Sequence, residues 1–245
     1  MDSGYYAAMT GLVARTQALD TAAANLANAQ TPGYRAEREY FRSALLGPDA
    51  ADSQLGRTVN NYGLLGGDQL YMGQGQLQQT GNPLDLAIEG EGFFQVQTPN
   101  GPRYTRDGAF HRTQSGQLVT ASGEPVLSTT GQPIPVPPGD VSVGTDGVLS
   151  VAGGTGSTVG VFTFPAGTRL TPEGANRYAP PQGAQPALSK NVTVHQGAVE
   201  AANQDMITGT LDLISMQRQA EMMQKALTVF HTEFNKIATD DLPKV

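Results

Sequence analysis

Both ends of the chain carry a seven-residue apolar repeat, and this pattern constrains the fold more than any other. Near the N-terminus one row consists of Tyr5, Leu12, Leu19 and Leu26. Near the C-terminus there are two rows, offset by three residues: Met206, Leu213, Ala220, Leu227 and Phe234, then Gly209, Met216, Met223, Phe230 and Ile237. A 3,4 spacing keeps one apolar stripe turned towards a partner helix. The pattern predicts two long terminal helices that bury their stripes against other helices.

Two kinds of partner can cover these stripes. The N-terminal helix can lie antiparallel on the C-terminal one within a single chain, or helices of neighbouring subunits can pack on both. The C-terminal stripe carries several methionines and two phenylalanines, which is more apolar surface than one shorter helix covers. Methionine side chains also adapt to non-identical partners. The sequence therefore favours assembly, with terminal helices that are marginal alone and become ordered on packing.

Composition excludes several classes of function. The net charge is -7 and there is no basic cluster, which argues against nucleic-acid binding. No apolar run approaches the roughly 20 residues that a membrane span needs, so membrane insertion is not expected. Asp2 stands where a secretory leader would be basic, so any export of this chain is expected to occur without a cleaved signal peptide. The three histidines lack ligand spacing, so neither a metal nor another cofactor is expected.

The middle of the chain has the pattern of short β-strands. Apolar residues alternate with others over 84–88 and 94–97, and 159–164 is a further strand candidate. Turn dipeptides such as Asn100-Gly101 and Asp107-Gly108 recur at short intervals, as in antiparallel meanders and small barrel-like sandwiches. Residues 165–190 are rich in proline and are predicted to form a loop.

These patterns predict an α+β chain of several domains. The first helix is expected to end near Asn28, because Thr31-Pro32-Gly33 stops it, and the last helix to run from about Ala201 or Asn203 to about Ala238. The predicted divisions are a coiled-coil helix over 1–30, an extended arm over 31–80, a central all-β domain over 81–190, and a coiled-coil helix over 191–245 that packs with 1–30.

Three separate segments resemble the signatures of one family. The N-terminal segment reads ANLANAQTPGYR from Ala24 to Arg35, and the central one reads GNPLDLAIEGEGFF from Gly81 to Phe94, followed by YTRDGAF from Tyr104. The C-terminal segment reads QGAVEAAN from Gln196, with QRQAE further on. Together they resemble the flagellar basal-body rod and hook-basal body protein family, in the same order along the chain.

The resemblance assigns family positions across the whole chain. They comprise Asn25, Asn28, Thr31, Gly33, Tyr34, Asp85, Gly90, Gly92, Phe93, Arg106, Asp107, Gly108, Asn203 and Arg218. Asn25, Asn28, Thr31, Gly33 and Tyr34 are predicted to set the exit from the first helix. Ala24 and Ala220 depart from the family pattern, and a small residue at Ala220 would allow closer helix approach.

The resemblance implies a structural subunit of the rod, the drive shaft that crosses the periplasm, and not an enzyme. Its expected partners are copies of itself, other rod proteins, the flagellar type III export apparatus and the rings around the rod. Its terminal helices would form an inner coiled-coil layer. The ending of the first motif resembles the proximal-rod F type, whereas the approach to the β domain resembles the distal-rod G type; the length favours F. A hook-related axial subunit is a further alternative.

Two functions of other classes compete with this one. Asp85, Glu89 and Glu91 would be the acid and base of a cell-wall glycosidase, but Asp85 alternates with apolar residues and is expected to face solvent. A binding module, such as an adhesin or a chaperone-like cap, would instead be a folded monomer with protected terminal helices. The assembly hypothesis places the interface at Tyr5, Leu12, Leu19, Leu26, Met206, Leu213, Met216, Met223, Leu227 and Phe230.

Overall fold

A computed structural model describes residues 2–42, 64–151 and 154–240. The chain divides into two compact units. A helical unit combines residues 1–27, 37–69 and 206–245, and a β unit combines 28–36 with 70–205. Much of the predicted extended arm over 31–80 lies outside the described residues, and the four-part division of the chain stays a prediction.

Two long helices form the helical unit. Helix α1 spans Asp2–Ala27 and helix α2 spans Met206–Asp240, which confirms the prediction of terminal helices. They are antiparallel. Gly11 of α1 lies opposite Met223 of α2, and Arg15, which is further along α1, donates a hydrogen bond of 3.0 Å to Gln219, which is earlier in α2. Strand β1, over Glu37–Arg42, pairs with β2, over Leu64–Leu70. The pairing of α1 with α2 is the intramolecular arrangement that the sequence left open.

The β unit contains short strands throughout, as predicted for the middle of the chain. They are β3 Leu77–Gln79, β4 Leu86–Glu89, β5 Phe93–Thr98, β6 Gly101–Thr105, β7 His111–Arg112, β8 Leu118–Val119, β9 Val141–Val143, β10 Val148–Val151, β11 Gly154–Thr158, β12 Val161–Thr163, β13 Thr171–Pro172, β14 Tyr178–Ala179, β15 Ala187–Leu188, β16 Thr193–Gln196 and β17 Ala198–Glu200.

The strands pair antiparallel in several small sheets. The largest has six strands in the order β13-β14-β6-β5-β12-β15, and a second has the order β11-β10-β9. Strands β5 and β6 form a hairpin whose turn contains Gly101 with a φ of 99°. The expectation of a loop over 165–190 was wrong in part, since β13, β14 and β15 lie there. The last two strands return to the earliest ones: β16 pairs with β4, and β17 with β3.

The core of the β unit has an aliphatic part and an aromatic part. The aliphatic part surrounds Phe94, which packs edge-on against Phe110 with ring centroids 5.1 Å apart. The aromatic part contains Phe93 and Tyr178, whose centroids are 5.8 Å apart. Burying side chains of this size contributes about 1.5–3 kcal/mol each, which stabilises strands that are individually short.

No helix within residues 2–42, 64–151 and 154–240 combines the length and the apolar content needed to cross a membrane.

Candidate functional site

The predicted heptad rows on α2 form the face that α1 covers. Gly209 and Ala220 are buried, and the larger members of the rows are half-buried: Leu213, Met216, Met223 and Leu227. Met206 departs from this pattern, with 44% of its surface exposed. The side chain of Phe230 lies outside the described part of the chain. Ala220, at 5% exposure, sits where its small side chain permits close helix approach, as the sequence predicted.

The facing stripe of α1 is built mainly from alanine. Ala14, Ala18 and Ala22 are each 7% exposed, whereas the predicted leucines beside them are only half-buried: Leu12, Leu19 and Leu26. Side chains this small allow two helix backbones to approach closely, with the larger side chains packing at the flanks. The side chain of Tyr5 is not among those described. The centre of the α1 seam therefore lies on the alanines.

A second apolar stripe on α2 is exposed. It consists of Ile207, Leu211, Ile214, Met222 and Val229, with exposures from 42% for Ile214 to 73% for Ile207. Their spacings of four, three, eight and seven residues keep them on one face of a helix with 3.6 residues per turn. On a helical wheel this face lies about 180° from the one that α1 covers. Arg218 is an exposed residue within the same stripe.

The motif residues of the β unit meet at a buried ion cluster. Arg35 Nη1 lies 2.6 Å from Glu200 Oε1, and Arg106 Nη1 lies 2.9 Å from Glu200 Oε2. The three side chains are 1%, 4% and 0% exposed. One carboxylate thus bridges two guanidinium groups from separate parts of the chain, away from water. We call Arg35, Arg106, Glu200 and the adjacent Asn203 the junction cluster.

Arg106 is held from several directions. It donates 3.0 Å to the Ile88 carbonyl and also to the Gly90 carbonyl, and its guanidinium lies 5.6 Å from the centre of the Phe93 ring. Burial lowers the pKa of Arg106 to about 10, and the negative charge of Glu200 opposes that change. The group is still cationic at neutral pH. The Nε atoms of Arg35 and Arg106 are buried and form no hydrogen bond with any of the described residues.

Two glycines let the backbone approach this cluster. Gly33 has a φ of 67°, and a Cβ placed there would overlap the Arg106 carbonyl group. Its amide donates 2.6 Å to the Glu200 carbonyl. A Cβ on Gly75 would overlap the carbonyl oxygen of Ala201, and the Gly75 amide donates 2.7 Å to Glu200 Oε1. Only glycine fits these two positions without displacing the backbone.

Asn203 connects three stretches of chain. Its Oδ1 accepts a hydrogen bond of 2.7 Å from the Ala36 amide, and its Nδ2 donates 2.7 Å to the Tyr71 carbonyl and 2.8 Å to that of Gly73. Its own amide donates 3.2 Å to the Tyr34 carbonyl. The side chain thus uses one acceptor and both donors on backbone groups.

The residues predicted to set the exit from α1 lie in two bonded groups. The Asn25 side chain donates a hydrogen bond of 2.8 Å to the Glu37 carbonyl and accepts one of 2.9 Å from the Glu37 amide. The side-chain amide thus pairs with the Glu37 backbone as the backbone of a neighbouring strand would. Further on, the Thr31 amide donates to the Asn28 carbonyl, and the Tyr34 amide donates to the Thr31 carbonyl. These are consecutive turns after the end of α1.

The acidic residues considered for catalysis have structural surroundings. Asp85 is buried, so the expectation that it faces solvent was wrong: its two oxygens accept hydrogen bonds from Thr80 and Asn82 and fix the turn before β4. Glu89 pairs with His195 at 2.6 Å across β4 and β16. Among the described residues, no three His, Asp or Glu side chains are grouped so as to hold a metal.

The remaining motif positions shape the β unit. Asp107 accepts a hydrogen bond of 3.0 Å from the Ala109 amide, and burial raises the pKa of its carboxyl group. Gly108 lies against the Leu86 carbonyl, and Gly92 lies against the Val161 side chain, so both make room for neighbouring strands. These positions therefore specify the fold of the β unit.

Comparison with known proteins gives family matches in the N-terminal and the central parts of the chain. Residues 6–35 match the family model described as flagella basal body rod protein, and residues 87–151 match the flagellar hook protein FlgE/F/G D1 domain. The chain is 32% identical to the flagellar basal-body rod protein FlgF of Caulobacter vibrioides, covering 100% of both chains.

Two further relatives extend this result. The chain is 32% identical to FlgF of Mesorhizobium japonicum over 90% of both chains. It is also 30% identical to the flagellar basal-body rod protein FlgG of Buchnera aphidicola, covering 94% of this chain and 96% of that protein. The chain belongs to the flagellar basal-body rod protein family. The prediction of a structural rod subunit is confirmed at this level, and the family is one of structural proteins.

Sequence reasoning placed Arg106 and Asn203 among the motif positions but missed Arg35 and Glu200. Both lie inside the stretches that carry the resemblance, at the end of the first and within the third. Glu200 is an isolated charge in a segment otherwise poor in charge, whereas Arg35 stands next to the charged run Glu37-Arg38-Glu39 and gives no such signal. Their pairing spans 165 residues, so no local pattern could reveal it.

Proposed function

We propose that this chain is an axial subunit of the rod that assembles through its terminal helices, using the face of α2 that α1 leaves uncovered. The exposed stripe of Ile207, Leu211, Ile214, Met222 and Val229 carries the proposal. Exposed apolar side chains that share one face of a helix are typical of interaction surfaces. Covering the five side chains would contribute roughly 5–10 kcal/mol before the costs of association.

The two faces of α2 have different roles in this proposal. The face of small and half-buried residues around Ala220 joins α2 to α1 within one subunit, and the opposite face joins subunits. The predicted interface residues therefore divide. Leu12, Leu19, Leu213, Met216 and Met223 act mainly by holding the pair together, and Met206 lies at the edge that a neighbour reaches. Successive subunits packed in this way would produce an inner helical layer.

Partners and location follow from the family. We place the subunit in the periplasmic rod, next to copies of itself and other rod proteins, with the rings of the basal body outside it. Delivery is by the flagellar type III export apparatus, without a cleaved leader. Identity of 32% to FlgF proteins against 30% to a FlgG protein supports the proximal, F-type position over the distal one. The division into helices, arm and β domain belongs to this proposal, as does the absence of enzymatic activity.

A pair of substitutions in the exposed stripe tests the proposal. Ile207→Asp with Leu211→Asp places two charges where side chains are 73% and 63% exposed, so the isolated subunit should still fold. Burial of two carboxylates at a subunit contact costs several kcal/mol, so we expect the double variant to be absent from purified basal bodies and the cells to be non-motile. Immunoblots of basal bodies and swimming assays measure this.

A matched control keeps the charge change and moves it to another face of α2. Gln217→Asp with Gln224→Asp adds two carboxylates at exposed positions outside both stripes. This variant should enter the rod as the unsubstituted chain does. Normal incorporation of the Ile207/Leu211 variant would refute the interface, and equal loss for both pairs would indicate a general effect of charge. Imaging the labelled subunit along the rod distinguishes the F-type from the G-type position.

A further inference from the structure

The chain passes between its two units four times. The divisions fall after Ala27, Ala36, Gln69 and Asp205. Three of these passages, at 36, 69 and 205, lie within a few residues of the backbone groups that Asn203 binds. The peptide segments at these divisions are covalent connections along which force can pass from one unit to the other. Their attachment to the β unit therefore decides how that force is received.

Asn203 joins the three segments directly. Its side chain binds the amide of Ala36 and the carbonyl groups of Tyr71 and Gly73, and its own backbone continues into α2. The Tyr71 amide also donates 2.7 Å to the Ala36 carbonyl. Each segment is thus bonded to the other two. One segment cannot be pulled away without breaking hydrogen bonds to both others.

Glu200 binds the same three segments, a few residues along the chain from the groups that Asn203 binds. Its carbonyl oxygen accepts from Gly33, its carboxylate accepts from Gly75, and the same carboxylate binds Arg35. Arg106 completes the contact from the β6 side. Because the carboxylate and both arginines are almost fully buried, these bonds do not compete with water. Two layers of polar contacts therefore hold one set of segments.

We propose that the junction cluster is a torque-transmitting joint, in which Asn203 is the positioning residue that keeps the three segments leaving the β unit in fixed register. The inference rests on the proposed function, because only a rotating rod subunit carries torque between its parts. In this arrangement the segments share a load. Several parallel hydrogen bonds must then fail together, instead of one after another.

Graded substitutions at Asn203 separate the contributions of its bonds. Asn203→Asp keeps an acceptor for the Ala36 amide but loses both donor bonds to Tyr71 and Gly73. Asn203→Ala loses all three. Asn100→Asp is the control, since it makes the same charge change in the exposed turn of the β5–β6 hairpin, where aspartate is equally suited.

Hydrogen exchange on the full purified chain measures the joint itself. In Asn203→Ala the amides of Ala36 and Tyr71 should exchange about tenfold faster or more, because each loses a bonded neighbour. In Asn203→Asp the Tyr71 amide should exchange faster while Ala36 keeps most of its protection. Amides of the core strand β5 should be unchanged in all variants. Unchanged exchange at Ala36 and Tyr71 in Asn203→Ala would overturn the joint.

Torque is measured on tethered cells over a range of viscous loads, with rods counted in purified basal bodies. We expect normal rod numbers for both Asn203 variants, speeds close to wild type at low load, and rotation failing at a several-fold lower load, most severely for Asn203→Ala. Asn100→Asp should match wild type. Faster exchange with an unaltered load limit would refute torque transmission. If the unsubstituted chain is missing from basal bodies, the proposed function fails, and the torque role fails with it, while exchange still decides whether Asn203 holds the segments.

Discussion

In the β unit, Phe94, Val96 and Ile134 are completely buried, whereas on α2 the similar side chains of Ile207 and Leu211 remain 73% and 63% exposed. The contrast extends to charge. The β unit buries Glu200 between two arginines, whereas the hydrogen bond from Arg15 to Gln219 that joins α1 to α2 is exposed. The β unit buries most of its large apolar side chains and pairs its buried charges, whereas the helical unit leaves an apolar face of α2 exposed.

This difference shows how an assembling protein divides its tasks. A self-sufficient β unit stays folded with or without neighbours, because its contacts are internal. A helical unit with one covered and one open face gains stability from each neighbour that packs on it. Substitutions should therefore affect stability in the first unit and assembly in the second.

The largest expected loss of stability comes from Glu200→Gln. The substitution keeps the shape of the side chain but leaves two buried guanidinium groups without a counter-charge, which should cost about 3–5 kcal/mol of unfolding free energy. Urea unfolding, followed through the near-ultraviolet circular dichroism of buried Tyr104 and Tyr178, measures it. Glu173→Gln is the control, since Glu173 also pairs with an arginine but is 37% exposed. It should cost about 0–1 kcal/mol. Equal effects would show that burial of the Glu200 cluster does not account for its contribution to stability.

An intermediate effect is expected from Ala18→Leu. The larger side chain overpacks the alanine seam between α1 and α2, which should cost about 1–3 kcal/mol and lower the temperature at which the helical circular dichroism signal is lost. The β unit should keep its urea midpoint. Val13→Leu enlarges a side chain that is 59% exposed, and it should leave the helix signal unchanged. If the Ala18→Leu variant melted at the same temperature as the unsubstituted chain, the two helices would not be closely packed at this position.

The smallest effect is expected from Asp107→Asn and depends on pH. Burial raises the pKa of Asp107 above its ordinary value of 3.8, and the charge of Asp85 adds to this. The ionised carboxylate is therefore disfavoured by folding, so the asparagine variant should be slightly more stable at neutral pH. Its advantage should shrink as pH falls through the raised pKa towards the ordinary one.

Asp146→Asn provides the comparison for this pH series. Asp146 accepts a hydrogen bond of 3.1 Å from the amide two residues on, as Asp107 does, but it is exposed. Unfolding free energies measured across the acid range should show a larger pH-dependent gain for Asp107→Asn than for Asp146→Asn. An equal gain in stability at both sites would show that burial of Asp107 is not the cause.

Local periodicity predicted the helices and the face of α2 that is covered. The heptads correctly placed Gly209, Ala220 and the half-buried residues between them, because the apolar face of a helix is determined by residues within a few turns of one another. The centre of the α1 seam was harder to predict. The rows were drawn through the leucines, but close approach selected Ala14, Ala18 and Ala22, and this depends on the distance between two helices.

The junction cluster could not be predicted as a unit. Arg106 and Asn203 belonged to separate motifs, and nothing in the sequence near either one indicates that both join Arg35 and Glu200. Asp85 shows a related limit. Alternation along the strand predicted exposure, but the residue stands just before β4, where its carboxylate instead fixes a turn. The alternation of exposed and buried residues along a strand does not predict the burial of side chains that form hydrogen bonds in the turns at strand ends.

The span between Arg35 and Glu200 has a consequence for the order of folding. The two residues are separated by 165 positions, so the pocket around Arg106 stays incomplete until the final strand arrives. Contacts so distant along the polymer slow the search for the native topology. A chain that passes through a narrow channel with its N-terminus leading would therefore stay unfolded around this pocket for most of its passage. The pocket would form only once nearly the whole chain had emerged.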